Sequence, residues 1–505
     1  MPGNHAPRLE YSSENFWGKV DDKLSNFELY RWYRQPIVQV GLLGLVCFCC
    51  PGLFNALNGI GGAGLAENDI STVSRANAGL YALFAIVSFA AGGINNILGP
   101  KLTLFLGGWG YVLYAGSFYD YQTSQNGAFV VAAGCILGIC AGLLWAAQGA
   151  IMMSYPDEAS KGRYISLFWM IFNCGALIGS IVMLALNAGN SSVGAVAPST
   201  YIAIMIIMSL GTVLILLMVS PNYVRRKDGS RVNNFKYPEV IPEAIEVLKL
   251  LFNKTLLWLF FAFLYSNFFY SYQFRINGVY FSVRAKALNN VIYWAAQIFG
   301  ALLLGTILDL QRFPRRKRAY IGFGIVSSLF IINWIGGLAW QSTFTRNDPS
   351  LGVDLNDSRF GGPFIVYLLY GFNDAMFQVY CYWIMGALTN DPLTLSRYAG
   401  FYKSIQSAGG AISWAIDSTS IPYMGEAILN FVLLLVALPG IFVVCRQITD
   451  TNYISDSGAE GKEAEADEHS GQKVEETELQ QTPGTEQKIE TQENAGAKEG
   501  QEAGA

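Results

Sequence analysis

The chain has 505 residues, 52% of them hydrophobic and 14% charged, where a soluble chain carries roughly 25% charged residues. Its net charge of −4 is unevenly spread: Asp450 to Ala505 hold 15 acids and four lysines, net −11, which leaves about +7 on the body. Both histidines, His5 and His469, lie in polar tails and all eight cysteines in apolar stretches, which excludes histidine metal sites, histidine bases and a disulfide framework from the body.

Residues 1–35 are polar and mixed in charge, with no apolar core behind a basic start, so they read as a cytosolic N-terminal segment without a cleavable signal. A helix that crosses the hydrocarbon core takes about 20 mainly apolar residues. Spans are predicted near 36–57, 77–99, 102–119, 127–153, 164–187 and 199–219, filling a first half over 36–219. A polar stretch, 220–255, follows as a cytosolic central loop. Spans near 256–274, 288–310, 319–340, 362–388, 398–416 and 424–445 fill a second half over 256–445. Residues 446–505, rich in Glu, Gln, Gly, Ala and Lys, cannot bury enough apolar surface to offset chain entropy and read as an acidic, disordered cytosolic tail. The expected fold class is an all-α polytopic membrane protein with twelve transmembrane helices in two six-helix pseudo-repeats, and its first partner is the lipid bilayer.

Lysine and arginine set orientation, because they concentrate in cytosolic loops. The loops on the side of the termini hold 26 of them and the opposite loops six; without either terminus the ratio is 16 to 6. Both termini are therefore expected in the cytosol, with plasma membrane and endomembrane left open. Asn190 and Asn356 open Asn-X-Ser/Thr sequons on the non-cytosolic side and are glycosylation candidates, while Asn253 opens one on the cytosolic side.

The halves echo each other. Gly92-x-x-x-Asn96 followed by Pro100 and Lys101 has a counterpart 213 residues on in Gly305-x-x-x-Asp309 followed by Pro314 and Arg315. Arg163-Tyr164, Gly175 and Ile178 pair with Arg397-Tyr398, Gly409 and Ile412 at an offset of 234, the difference being taken up by the loop 341–361. Two halves of equal polarity imply a parallel repeat about the membrane normal. This layout resembles the major facilitator superfamily, whose loop between the second and third helices carries Gly-x-x-x-Asp followed by basic residues. Gly305, Asp309, Arg315 and Arg316 keep that pattern; in the first half Gly92 is followed by Asn96 in place of the acid. More narrowly, Pro51-Gly-Leu-Phe-Asn-Ala-Leu-Asn58-Gly, and Tyr155-Pro-Asp-Glu-Ala-Ser-Lys-Gly-Arg163-Tyr running into Asn173-Cys-Gly-Ala, look like the uncoordinated-ninety-three-like branch, especially its fungal members. The resemblance covers about 30–445 and implies the facilitator fold. It leaves activity open, because that branch includes ion-channel regulatory subunits and a receptor escort beside presumed transporters.

Polar groups inside a membrane helix are costly, about 2.5–3.5 kcal/mol for a central charge on insertion scales. Asp374, midway along the tenth span, clusters with Asn373 and Gln378, and its four-residue spacing to Gln378 puts the two on one helical face. That face is expected to line a central cavity, with Asp374 either binding a cation or proton or serving as a structural carboxylate. Lys403 in the eleventh span differs from Asp374 in depth by roughly 13 Å at ~1.5 Å per residue, so direct pairing is not expected and snorkelling to the interface is favoured. Gln148 and Asn173 are the first-half amides expected at the cavity by analogy with facilitators, whereas Asn55, Asn58 and Asn95 read as interhelical glue. Gly134, Gly138 and Gly142, and Gly175 with Gly179, lie at four-residue spacing, which marks close helix packing. Gly59-x-Gly61-x-x-Gly64 matches a dinucleotide pattern by letter but follows a membrane helix, not a strand.

The expected function is transport of a small solute, secondary-active or facilitative, by alternating access; no Gly-x-x-x-x-Gly-Lys-Ser/Thr loop for ATP occurs. The competing expectation is an accessory or trafficking subunit bound to another membrane protein. No enzyme, metal site, cofactor or nucleic-acid partner is expected, since neither a ligand cluster, a nucleophile–base pair nor an extended basic face is present.

Overall fold

The structure, a computed structural model, describes residues 23–450 except 61–62, 64, 66–69, 157–159, 188–197, 227–231, 233–239, 349–350, 390 and 420. Those residues are almost wholly helical: α1 (Glu28–Tyr33), α2 (Pro36–Cys47), a π-helical turn (Phe48–Gly52), α3 (Leu53–Gly59), α4 (Ile70–Leu98), α5 (Pro100–Ser124), α6 (Gly127–Ser154), α7 (Lys161–Asn187), α8 (Pro198–Leu214), α9 (Val240–Lys249), α10 (Lys254–Tyr265), α11 (Tyr270–Tyr280), α12 (Val283–Leu308), α13 (Arg315–Gln341), α14 (Gly361–Leu388), α15 (Pro392–Asp417) and α16 (Tyr423–Cys445). Of the expected tail over 446–505 only residues 446–450 are described; the rest of it, with Asn190, lies outside the described residues.

Among the described residues, eight helical stretches are long and apolar enough to cross a membrane: Pro36–Gly59, Ser71–Asn95, Gly127–Met152, Arg163–Ala185, Pro198–Leu217, Val283–Leu308, Arg315–Gln341 and Tyr423–Cys445. A ninth is counted if Ala244–Phe252 and Lys254–Tyr280, bent by 95° at Asn253, form one span. α5, α14 and α15 coincide with the third, tenth and eleventh expected spans and are 25, 28 and 26 residues long. Their lower hydropathy has a cause inside the bundle, where they bury Tyr114, Ser117, Asp374, Gln378, Lys403 and Gln406.

Helix ends depart from the expected limits where the terminal turns are polar. α4 starts at Ile70, not near 77; α12 at Val283, not 288; α15 at Pro392, not 398. Local chemistry sets two of these starts. Ser282 caps α12 by accepting from the Ala285 N–H (3.3 Å), and Asp391 caps α15 by accepting from Thr394 (2.9 Å). The central stretch 220–255 is also not a plain loop, because it contains α9.

Polarity is arranged for an apolar solvent. Ile86, Leu210, Ile332 and Phe299 are 65%, 65%, 62% and 67% exposed, whereas Asn173, Asn290, Asp374 and Ser404 are fully buried. Lipid satisfies outward hydrocarbon and leaves polar groups to find partners within the bundle. The glycines do what their spacing predicts. A Cβ on Gly134 would stand 2.7 Å from the Ala76 carbonyl oxygen, and one on Gly138 would overlap the Leu80 carbonyl, so α6 lies directly on the backbone of α4. Two contacts of this kind sit at corresponding places in the chain: a Cβ on Gly175 (α7) would overlap the Phe48 carbonyl, and one on Gly409 (α15) the Leu264 carbonyl.

Both of those carbonyls border an irregular turn of a helix. Between α2 and α3 the π-helical turn contains Pro51, which has no N–H to continue the ladder. Between α10 and α11 the helix is interrupted over 266–269. The two irregular turns face one cavity.

Candidate functional site

The cavity is partly open and has a volume of about 50 Å³. Its walls come from the two irregular turns and the helix starts that follow them (Pro51, Phe54 and Asn55; Asn267 and Tyr270) and from aromatic residues of α4–α7, including Tyr81, Tyr111, Trp145 and Trp169. Gln378 of α14 and Lys403 and Gln406 of α15 complete it. Its lining, mostly apolar with a few convergent polar groups, is of the kind that small-molecule sites have.

Asp374 lies one layer behind this wall. Its Oδ2 accepts from the Tyr270 hydroxyl (2.7 Å) and from Gln297 Nε2 (2.7 Å), with the Tyr293 hydroxyl at 3.2 Å; its Oδ1 accepts from Gln378 Nε2 (2.7 Å). A carboxylate is an acceptor only, and three donors from α11, α12 and α14 converge on it, the single hydrogen of the Tyr293 hydroxyl lying closer to Gln273 Oε1 at 2.9 Å. The remaining N–H of Gln378 reaches the Tyr270 hydroxyl at 3.1 Å, so the Gln378 carbonyl must point the other way. There it accepts from Gln406 Nε2 (3.2 Å), whose second N–H goes to the Tyr402 hydroxyl (3.0 Å). The Gln406 carbonyl in turn accepts from Lys403 Nζ at 2.8 Å. Acid and base are thus joined through two head-to-tail amides, each with its N–H₂ toward the carboxylate and its carbonyl toward the ammonium.

Lys403 does not snorkel. It is 4% exposed, and its Nζ sits 4.3 Å from the ring centroid of Trp145, 5.3 Å from Tyr402 and 5.6 Å from Tyr382. Aromatic faces attract a cation most where water is excluded, which replaces the interface as the destination of this side chain. The Trp145 ring is itself oriented by donating from Nε1 to the Tyr111 hydroxyl at 3.1 Å.

Other candidates separate from the site. Asn373 points away from Asp374 and donates to the Leu329 carbonyl of α13 (3.2 Å), because adjacent positions on a helix face different neighbours. Gln148 and Asn173 are fully buried but are not among the cavity-lining residues; Gln148 Nε2 lies 3.2 Å from Met152 Sδ. Asn55, read as glue, stands at the cavity wall instead, while Asn58 is glue, accepting from Asn77 (2.9 Å) in a chain that continues to Tyr114. Of the loop motif, Gly305 and Asp309 form the last turn of α12, joined by the Asp309 N–H to the Gly305 carbonyl at 3.1 Å. Arg315 is buried against the Gly386 carbonyl (3.4 Å), Arg318 donates to the Leu308 carbonyl (2.7 Å) and Arg316 is exposed. Gly92 lies on α4, and the Asn96 side chain lies outside the described residues. Asn356 is exposed in the loop before α14.

Sequence reasoning missed a second polar cluster, at the end of the bundle remote from Pro36. Arg275 of α11 makes a two-pronged pair with Asp417 of α15 (Nε to Oδ1 2.8 Å, Nη2 to Oδ2 2.7 Å), and Ser74 of α4 donates to the same carboxylate at 2.7 Å. Arg346 bonds Glu426 (2.6 Å) and the Thr419 carbonyl (2.9 Å) and stacks 4.4 Å from the Tyr423 ring. Nearby, Asn290 of α12 donates to the Ala56 carbonyl and to Ser180, both at 2.8 Å. The available signal was an excess of Arg275 and Arg346 on the side of the bundle poorest in basic residues, with Asp417 and Glu426 the acids placed to match them.

A family model described as "Ion channel regulatory protein UNC-93" matches residues 74–432. UNC93-like protein 1 of Arabidopsis thaliana is 44% identical over 414 residues, covering 81% of this chain and 90% of that protein. UNC93-like protein C922.05c of Schizosaccharomyces pombe is 43% identical over 432 residues, covering 83% and 85%. Among solved structures, the major facilitator superfamily transporter FucP in its outward conformation superposes with a TM-score of 0.55 at 14% identity, over 81% of this chain and 98% of that one.

Proposed function

The chain belongs to the UNC-93 family and shares the fold of major facilitator transporters, and from that premise we propose that it carries a small solute across a membrane by alternating access. The observation that carries this reading is the polar-and-aromatic cavity, walled by helices from both parts of the chain and flanked by the π-helical turn of one helix and the interruption of another. Transporters bind substrate where discontinuous helices meet at mid-depth.

In this reading twelve long helices form two six-helix halves, 36–219 and 256–445. The paired contacts of Gly175 on Phe48 and Gly409 on Leu264 support the repeat, as does the irregular turn in the first helix of each half. Both termini face the cytosol, in keeping with the 26-to-6 distribution of lysine and arginine, and Asn356 then lies on the glycosylated side. Gly305, Asp309 and Arg315 brace the cytosolic turn between α12 and α13, and Gly92 marks the corresponding turn of the first half. The Arg275–Asp417–Ser74 cluster closes the opposite end.

The test is flux. Purified full-length chain in sealed liposomes is screened against a solute panel, beside a variant in which Trp145→Ala and Gln406→Leu alter the cavity wall. Uptake by the intact chain that falls at least about tenfold in the variant supports transport. A second reading is favoured by the family model's own description as a channel regulator: the fold serves as an accessory subunit. No flux of any solute, together with purification in fixed ratio with a second membrane protein, selects that reading.

A further inference from the structure

Lys403 is the charged residue on the cavity wall, and it arrives there with donor capacity to spare. One hydrogen bond, to Gln406, occupies one of the three N–H groups of its ammonium; the surroundings of the rest are the rings of Trp145, Tyr382 and Tyr402. Asn55, at the start of α3, and Asn267, in the interruption between α10 and α11, bring side-chain amides to the same wall, and among the described residues neither side chain has a hydrogen-bond partner. Asp374 offers an entering ligand nothing, because it stands behind Gln378 and Tyr270 with its oxygens occupied. The cavity therefore presents one positive charge, two unengaged amides and an aromatic lining.

We propose that the cavity selects organic anions, small aromatic carboxylates in particular, with Lys403 as the anchor for the carboxylate and Trp145 and Trp169 as walls for the ring. This rests on the transport reading for its purpose but not for its chemistry. A cationic ligand meets the ammonium that already fills the aromatic cage. A neutral aromatic gains the walls and gives the ammonium no counter-charge. A carboxylate accepts from Lys403 and from an amide at once, in charge-assisted bonds about twice as strong as neutral ones. Asp374 acts as a positioning residue: through Gln378 and Gln406 it turns a carbonyl toward Lys403 and so keeps the ammonium at the wall.

Equilibrium binding tests this independently of flux. Full-length protein in detergent is melted with benzoate, phenylacetate or 3-phenylpropionate, and in parallel with the corresponding amides and amines. The expected result is stabilisation by at least one acid with an apparent affinity at least about tenfold above its amide and its amine. Lys403→Arg should retain that preference and Lys403→Gln should lose it, the melting point without ligand reporting whether each variant folds. The acid–amide comparison on the unaltered chain stands even if Lys403→Gln does not fold. Equal stabilisation by acid and amide, preference for the amine, or no stabilisation by any of the three acids overturns the proposal. An acid that binds but does not cross sealed vesicles upholds the anion site and counts against transport alone.

Discussion

Replacing Asp374 by asparagine keeps the side chain's shape but puts an N–H₂ where every neighbour already donates. Gln297, Tyr270 and Gln378 all point hydrogens at this position, so at least one donor loses its acceptor at a cost of about 1–3 kcal/mol. A melting point lowered by several degrees in Asp374→Asn is expected, together with loss of the acid-over-amide preference. A variant that melts and binds like the parent removes the positioning role. The sequence made the four-residue kinship of Asp374 and Gln378 readable, and it excluded direct pairing with Lys403. It could not reveal the route between them, because Gln406 sits on another helix, nor the aromatic cage, which draws Trp145 from a segment 258 residues before Lys403.

At the scale of elements, the loop 341–361 is stitched to the junction of α11 and α12. The Ser282 N–H donates to the Val353 carbonyl and the Val353 N–H to the Tyr280 carbonyl, both at 3.0 Å, while Arg284 pairs with Asp354, which also accepts from the Ser282 hydroxyl at 2.6 Å. The Arg284 and Ser282 hydrogen bonds hold the Asp354 carboxyl below its usual range. A depressed folded value means that the clasp contributes fully above the unfolded value of about 3.9 and loses that contribution as the pH falls toward the folded value. Proteolysis at Arg346 and Arg359 is therefore expected to change little from pH 7 to 5 and to accelerate below about pH 4; Asp354→Ala should show the fast rate throughout. An identical pH profile for both proteins would falsify the clasp. The long helices were legible from hydropathy to within a few residues, since burial in lipid is a bulk property of a segment. Their polar first turns were not, because caps such as Ser282 and Asp391 depend on single hydrogen bonds.

For the molecule as a whole, the Arg275–Asp417–Ser74 cluster ties α4 to α11 and α15 at one end. Arg275 and Asp417 side chains are 9% and 0% exposed, and removing one partner of such a buried pair costs about 3–5 kcal/mol. In Asp417→Asn the arrangement that buries Arg275 should be disfavoured, and hydrogen exchange over 70–78 and 270–280 should quicken while α16 stays protected. Unchanged exchange in all three regions, with an unchanged melting point, would show that the cluster does not hold this end shut. The all-helical membrane plan could be inferred from the chain, because hydropathy is a local property of each segment. Which ends meet could not, since Ser74 and Asp417 are 343 residues apart and neither carries a motif.

The π-helical turn at Phe48–Gly52 and its counterpart at 266–269 have one more consequence. A rigid rod transmits any tilt along its whole length, whereas a rod with a slack joint does not. If the chain works by alternating access, a joint in each of two helices beside the cavity would let the segments above and below it swivel separately, so that clamping one end of the bundle would not dictate the posture of the other.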